Sequence, residues 1–153
     1  MNISMPFSND PNMFREIILD HYQYPRNKRK PDSDDYLSIH MDSASCIDDF
    51  YIYLKVDNGI ISDALFDGIG CAISTASISI MTVLVKDKKI EEALKIIENY
   101  RHMINHDHDY DEDLLDEANA FCMTYKQANR IKCATIGWDG LEQLLTKKEQ
   151  KNG

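Results

Sequence analysis

Asp67-Gly68-Ile69-Gly70-Cys71-Ala72-Ile73-Ser74 marks the point where the chain changes its secondary structure. Before it, apolar residues recur at every second position. After it, they follow helical spacing. Two glycines between a strand end and a run of small and apolar residues predict a turn that delivers Cys71 to a helix N-terminus. Free N–H groups and the positive end of the helix dipole favour a thiolate there.

Working back from this turn, Ile60 to Phe66 is expected as a strand. Asp57-Asn58-Gly59 precedes it, a hairpin turn whose Asn and Gly accept positive φ. In Phe50 to Val56, Phe50, Ile52, Leu54 and Val56 alternate with Tyr51, Tyr53 and Lys55, giving the clearest strand. Leu37, Ile39 and Met41 alternate with Ser38, His40 and Asp42 in a third. At the N-terminal side, Asp10 and Pro11 are cap and first residue of a helix carrying Phe14, Ile17, Ile18 and His21 or Tyr22. That helix stops before Pro25.

Working forward, Cys71 to Lys86 reads as a buried helix. Asp87-Lys88-Lys89 breaks it, and Ile90, Leu94, Ile97 and Ile104 mark an amphipathic one. An acidic loop over 106–113 follows, then a helix over Leu114 to Ala128 and a last helix over Cys133 to Lys148. The expected fold is α+β: a three-stranded antiparallel sheet with helices packed on one face. One domain is expected over 11–148, with tails at 1–10 and 149–153.

The chain has 153 residues and a formal net charge of −9. One short basic run, Arg26-Asn27-Lys28-Arg29-Lys30, gives no stripe for a phosphate backbone, which argues against nucleic acid. Met1 to Ser8 lacks the order of a secretory signal, and no apolar run approaches a bilayer span. A cytoplasmic location without membrane attachment is expected. Reducing conditions there keep thiols free, so four cysteines point to metal ligation or reactivity rather than disulfides.

Cys46 and Asp48 lie two residues apart, so in extended backbone both side chains point to one side. Cys71 and Cys133 are expected at helix starts. Together Cys46, Asp48, Cys71 and Cys133 make a donor set of three thiolates and one carboxylate, which suits tetrahedral Zn²⁺. No CxxC pair is present, and spacing leaves open that these are separate buried thiols. Cys122, between Phe121 and Met123, reads as a core thiol. His102, His106 and His108, among Asp107, Asp109, Asp111 and Asp113, read as a solvated acidic loop. His21 and Tyr22 fit packing or capping.

The motifs Phe14-Arg15-Glu16-Ile17-Ile18-Leu19-Asp20-His21-Tyr22, Pro25-Arg26-Asn27, Cys46-x-Asp48, Gly68-x-Gly70-Cys71-Ala72-Ile73-Ser74 and Arg130-Ile131-Lys132-Cys133-Ala134 resemble the NifU/IscU-type iron–sulfur assembly proteins. Within that family, two features resemble the zinc-binding SufU branch: a spacing of 62 positions (133 − 71) between Cys71 and Cys133, and Lys132 where scaffold-type members carry histidine. The resemblance implies the NifU/IscU N-terminal fold and Zn²⁺ held by Asp48, Cys71 and Cys133 with Cys46. It implies Cys46 as persulfide acceptor from a SufS-type pyridoxal-phosphate cysteine desulfurase, and Arg130 beside the reacting thiol. A scaffold building a transient [2Fe–2S] cluster on the same ligands, and a zinc adaptor that only docks on the desulfurase, are the alternatives. Oligomeric state is left open. The family's Gly between the first cysteine and the aspartate is here Ile47, which would be strained if that position required positive φ.

Overall fold

The computed structural model describes residues 10–43, 47–107 and 109–152, with side chains described as far as Lys147. Asp10 caps α1 (Pro11–Gln23), its carboxylate accepting from the Asn12 N–H at 2.9 Å. Phe14 and His21 are its buried residues. Three strands form one antiparallel sheet: β1 (Leu37–Asp42), β2 (Asp49–Asp57) and β3 (Ile60–Ile69), with β2 in the centre.

The hairpin between β2 and β3 turns where expected, with φ of 54° at Asn58 and 75° at Gly59. β3 continues three residues beyond Phe66, because Asp67, Gly68 and Ile69 still pair with Tyr51, Phe50 and Asp49. The outer edge of β3 is covered by the loop after α1. There the Phe66 N–H donates to the Asn27 carbonyl, and the Arg29 N–H to the Phe66 carbonyl. Covering this edge removes a row of unpaired backbone groups that would otherwise invite another strand.

Phe50, Ile52 and Leu54 project from β2 into a core closed by α2 (Ala72–Val85), α3 (Ile90–Ile104) and α5 (Ala128–Asn152). α2 is buried from Ser74 to Thr82, so its hydroxyls need internal partners. Ser77 donates to the Ala134 carbonyl and accepts from Trp138 Nε1. Thr82 donates to the Ser79 carbonyl. No buried side-chain nitrogen or oxygen among the described residues lacks a partner.

Two expectations on the C-terminal half need correction. A continuous helix over Leu114 to Ala128 does not form; a single turn, α4 (Glu112–Leu115), is followed by 3-10 turns at Asp116–Phe121 and Thr124–Lys126. Asp116 sits at a φ of 44°, and the Asn119 amide donates to the Glu112 and Asp116 carbonyls. A side chain serving the backbone in this way competes with α-helical bonding. The last helix begins at Ala128 rather than Cys133, since Ala128 to Lys132 contains no residue that breaks a helix. It also runs to Asn152, through residues 149–152 expected as a tail, because Lys147 to Lys151 are helix formers.

His21 ties the helical layer together. The Arg26 N–H donates to Ser79 Oγ at 2.8 Å, and the same hydroxyl shares a hydrogen bond of 2.7 Å with His21 Nδ1. The opposite nitrogen, Nε2, donates to the Glu117 carboxylate, an acceptor only when ionised, at 2.9 Å. This bond is the main reason the Glu117 carboxyl is held below its ordinary pKa of 4.5. A lowered folded-state value means the interaction stabilises fully above the unfolded pKa and is lost as pH falls through the folded one. Glu117→Gln should therefore lower the melting temperature near neutrality, where the interaction is fully present, with the difference from the parent chain closing as pH falls below about 4.5.

Candidate metal centre

β1 and β2 are joined by residues 43–48, and the ladder fixes both ends of this connection. Asp42 pairs with Asp49, and the Ser43 N–H donates to the Asp48 carbonyl at 3.0 Å. Asp48, 2% exposed, thus enters the site from the start of β2. Cys71 is the N-cap of α2, and its Sγ accepts from the Ser74 N–H at 3.4 Å. Cys133, 4% exposed, comes from the second turn of α5. The helix-dipole argument therefore applies to Cys71 and not to Cys133.

One ligand atom from each of Asp48, Cys71 and Cys133 lies within 4.8 Å of the others. Asp48 Oδ1 accepts from the Cys71 N–H at 3.1 Å and from the Ser74 hydroxyl at 2.8 Å. Burial pushes the Cys133 thiol up from its ordinary pKa, followed by its hydrogen bond with Cys71 and the nearby Cys71 and Asp48 charges. A cation held here would take the place of the Cys133 thiol proton.

The donors fit a divalent ion. Around tetrahedral zinc, Zn–S bonds of about 2.3 Å and Zn–O bonds of about 2.0 Å imply ligand–ligand edges of roughly 3.5–3.8 Å. With every separation inside 4.8 Å, closure requires a contraction of no more than about 1.3 Å. Two sulfurs and one oxygen leave one tetrahedral position, for which Cys46 is the sequence candidate. Cys46 lies outside the described residues.

Arg130 and Lys132 are exposed on the first turn of α5, and neither has an ion-pair partner among the described residues. Arg130 is three residues before Cys133, on the same side of the helix. Ile47 is 68% exposed. Ile69 is equally exposed, at 69%, two residues before Cys71. Each of these exposed isoleucines is within two residues in sequence of a candidate ligand.

The decoys stay apart from this cluster. Cys122 is half-buried against the core rather than in mid-helix, and burial pushes its thiol up. His102 pairs with Asp107, and His106 stacks on Tyr125 at 3.8 Å; His108 lies outside the described residues. Ser74 is the residue that sequence reading left without a role. Its spacing of three from a helix-capping cysteine was visible, but its second partner, Asp48, is 26 residues away.

The model of the NifU-like N terminal domain matches residues 13–152. The chain belongs to this family. Among its NifU-like relatives, the zinc-dependent sulfurtransferase SufU of Bacillus subtilis is 38% identical over 92% of this chain and 94% of its own length. The iron–sulfur cluster assembly scaffold protein IscU of Thermotoga maritima is 32% identical over 88% and 94%. The crystal structure of a SUF-system scaffold protein from Fervidobacterium islandicum superposes with a TM-score of 0.80 at 29% identity, covering 85% of this chain and 94% of that one. The expected NifU-like α+β fold, with one three-stranded antiparallel sheet, is thus the one found. No helix among the described residues is long and apolar enough to cross a membrane.

Proposed function

We propose that this NifU-like chain is a zinc-dependent sulfur acceptor and carrier in iron–sulfur cluster assembly, loaded by a SufS-type pyridoxal-phosphate cysteine desulfurase in the cytoplasm. The observation that carries this reading is the convergence of Asp48, Cys71 and Cys133 from three elements distant in sequence. Asp48, Cys71 and Cys133 would hold the ion, with Cys46 as fourth ligand and reacting group. Bound zinc supplies Lewis acidity that keeps its thiolates deprotonated at neutral pH.

The residues divide the remaining work. Cys46 lies two peptide units from Asp48, at most about 7.6 Å between Cα atoms by covalent geometry alone. Its thiolate attacks the outer sulfur of the partner's cysteine persulfide. The bond between that sulfur and the partner's cysteine breaks, the partner leaves as a thiolate, and Cys46 carries the new S–S bond. No net oxidation or reduction occurs. The N–H groups at the start of α2 offset negative charge at Cys71, while Arg130 adds exposed positive charge on the Cys133 side of α5. Ile47 and Ile69 offer the partner apolar contact around the thiol.

Lys132 favours transfer over cluster scaffolding, because an ammonium group is no ligand at neutral pH where a histidine is one. The test is cysteine turnover by the desulfurase with and without the purified chain. The expected result is a colourless protein containing one zinc that raises turnover, with the effect lost on zinc removal. A brown protein whose visible absorption comes from iron and sulfide, with no effect on turnover, would instead support the [2Fe–2S] scaffold.

A further inference from the structure

Asp48 reaches the site with its two carboxylate oxygens in different situations. The Ser74 hydroxyl at 2.8 Å and the Cys71 N–H at 3.1 Å both fall on Oδ1, while the Cys133 thiol also hydrogen-bonds the carboxylate through a proton that a bound cation would displace. A carboxylate oxygen has two lone-pair directions, so these two bonds fill Oδ1. The Ser74 hydroxyl also lies 3.1 Å from the Cys71 carbonyl and 3.4 Å from Cys71 Sγ. Its single hydrogen goes to the charged oxygen, which is both the nearest and the strongest acceptor. Ser74 is fully buried, so water does not compete for this bond.

Building on the zinc reading above, we propose that Ser74 is a positioning residue that sets how Asp48 binds the ion. Its hydroxyl, with the Cys71 N–H, occupies Oδ1 and leaves Oδ2 as the one oxygen Asp48 brings to a divalent cation. Coordination is then four-fold, with a single carboxylate oxygen that already shares its charge with two donors. The same residue serves a second ligand, since the Ser74 N–H is the cap donor to Cys71 Sγ. One residue on the first turn of α2 thereby orients two of the three converged ligands, which are 23 positions apart in sequence.

Ser74→Ala deletes one oxygen and adds no volume, and a helix favours alanine, so the fold is kept. Oδ1 then regains a free lone pair and the carboxylate is free to turn and chelate. Co²⁺ reports the change, because the intensity of its visible d–d bands falls when four-fold coordination becomes five-fold. The expected result is intense four-coordinate bands in the parent chain, weaker bands in Ser74→Ala, and a return toward the parent spectrum in Ser74→Thr, which keeps the hydroxyl. Release of Co²⁺ to a chelator should be about 10- to 100-fold faster from Ser74→Ala. A spectrum and release rate identical to the parent, whether or not the melting temperature falls, would overturn the role of Ser74. A parent chain that binds no Co²⁺, or binds it without sulfur-to-cobalt charge-transfer absorption, would overturn the zinc reading and this inference with it.

Discussion

Replacing Cys46 by alanine is expected to reduce desulfurase turnover to the level of the desulfurase alone. The transfer step needs a thiolate at this position to form the new S–S bond. Asp48, Cys71 and Cys133 provide no substitute, because in the proposed site they remain bound to the ion. Some zinc should be retained, since those three ligand atoms already lie within 4.8 Å of one another. Cys122→Ala is the matched control. Its thiol is half-buried against the core and apart from the site, so turnover should match the parent chain. Steady-state alanine production with equimolar parent and variant chains measures both. Full stimulation by Cys46→Ala would contradict sulfur acceptance at this residue and leave a chain that acts by docking alone.

Gly68→Ala should have the largest effect on stability. Gly68 adopts a φ of 124°, a conformation open to glycine and strained for any residue with a Cβ. A Cβ there would also lie 2.2 Å from the Asp49 carbonyl oxygen and 2.8 Å from Phe50 Cα. Both are backbone atoms of the central strand, so relief requires parting β2 from β3. Backbone strain of about 1–3 kcal/mol plus this clash puts the cost above roughly 3 kcal/mol. For a chain of this size, that corresponds to a fall in melting temperature of at least about 6–12 °C. Asp48 precedes β2 and Cys71 follows β3, so the same distortion should weaken metal retention. A thermal melt within 2 °C of the parent chain would show that the β2–β3 pairing tolerates the added carbon.

The parts of this fold legible in the sequence are those whose cause is local. Alternation from Phe50 to Val56, positive-φ residues at Asn58-Gly59 and the Gly68-x-Gly70-Cys71 turn each encode their geometry within a few residues. The sheet and the N-cap position of Cys71 follow from them. The segment after Leu114 was not legible, because Asp116 and Asn119 divert its backbone bonding through side-chain contacts that periodicity does not register. The start of α5 was misplaced by analogy with Cys71, although nothing in Ala128 to Lys132 resists a helix. His21, Ser79 and Glu117 meet across 58 and 96 positions, which only the folded chain reveals. The candidate ligands are legible as residue types, and their convergence only through the family resemblance, since spacing leaves separate buried thiols open.

Zinc K-edge X-ray absorption on the purified chain tests the proposed coordination most directly. The first shell should fit three sulfurs at about 2.3 Å and one oxygen at about 2.0 Å, falling to two sulfurs in Cys46→Ala. A shell of only nitrogen and oxygen, or one unaltered when Cys71 or Cys133 is replaced by serine, would contradict the site.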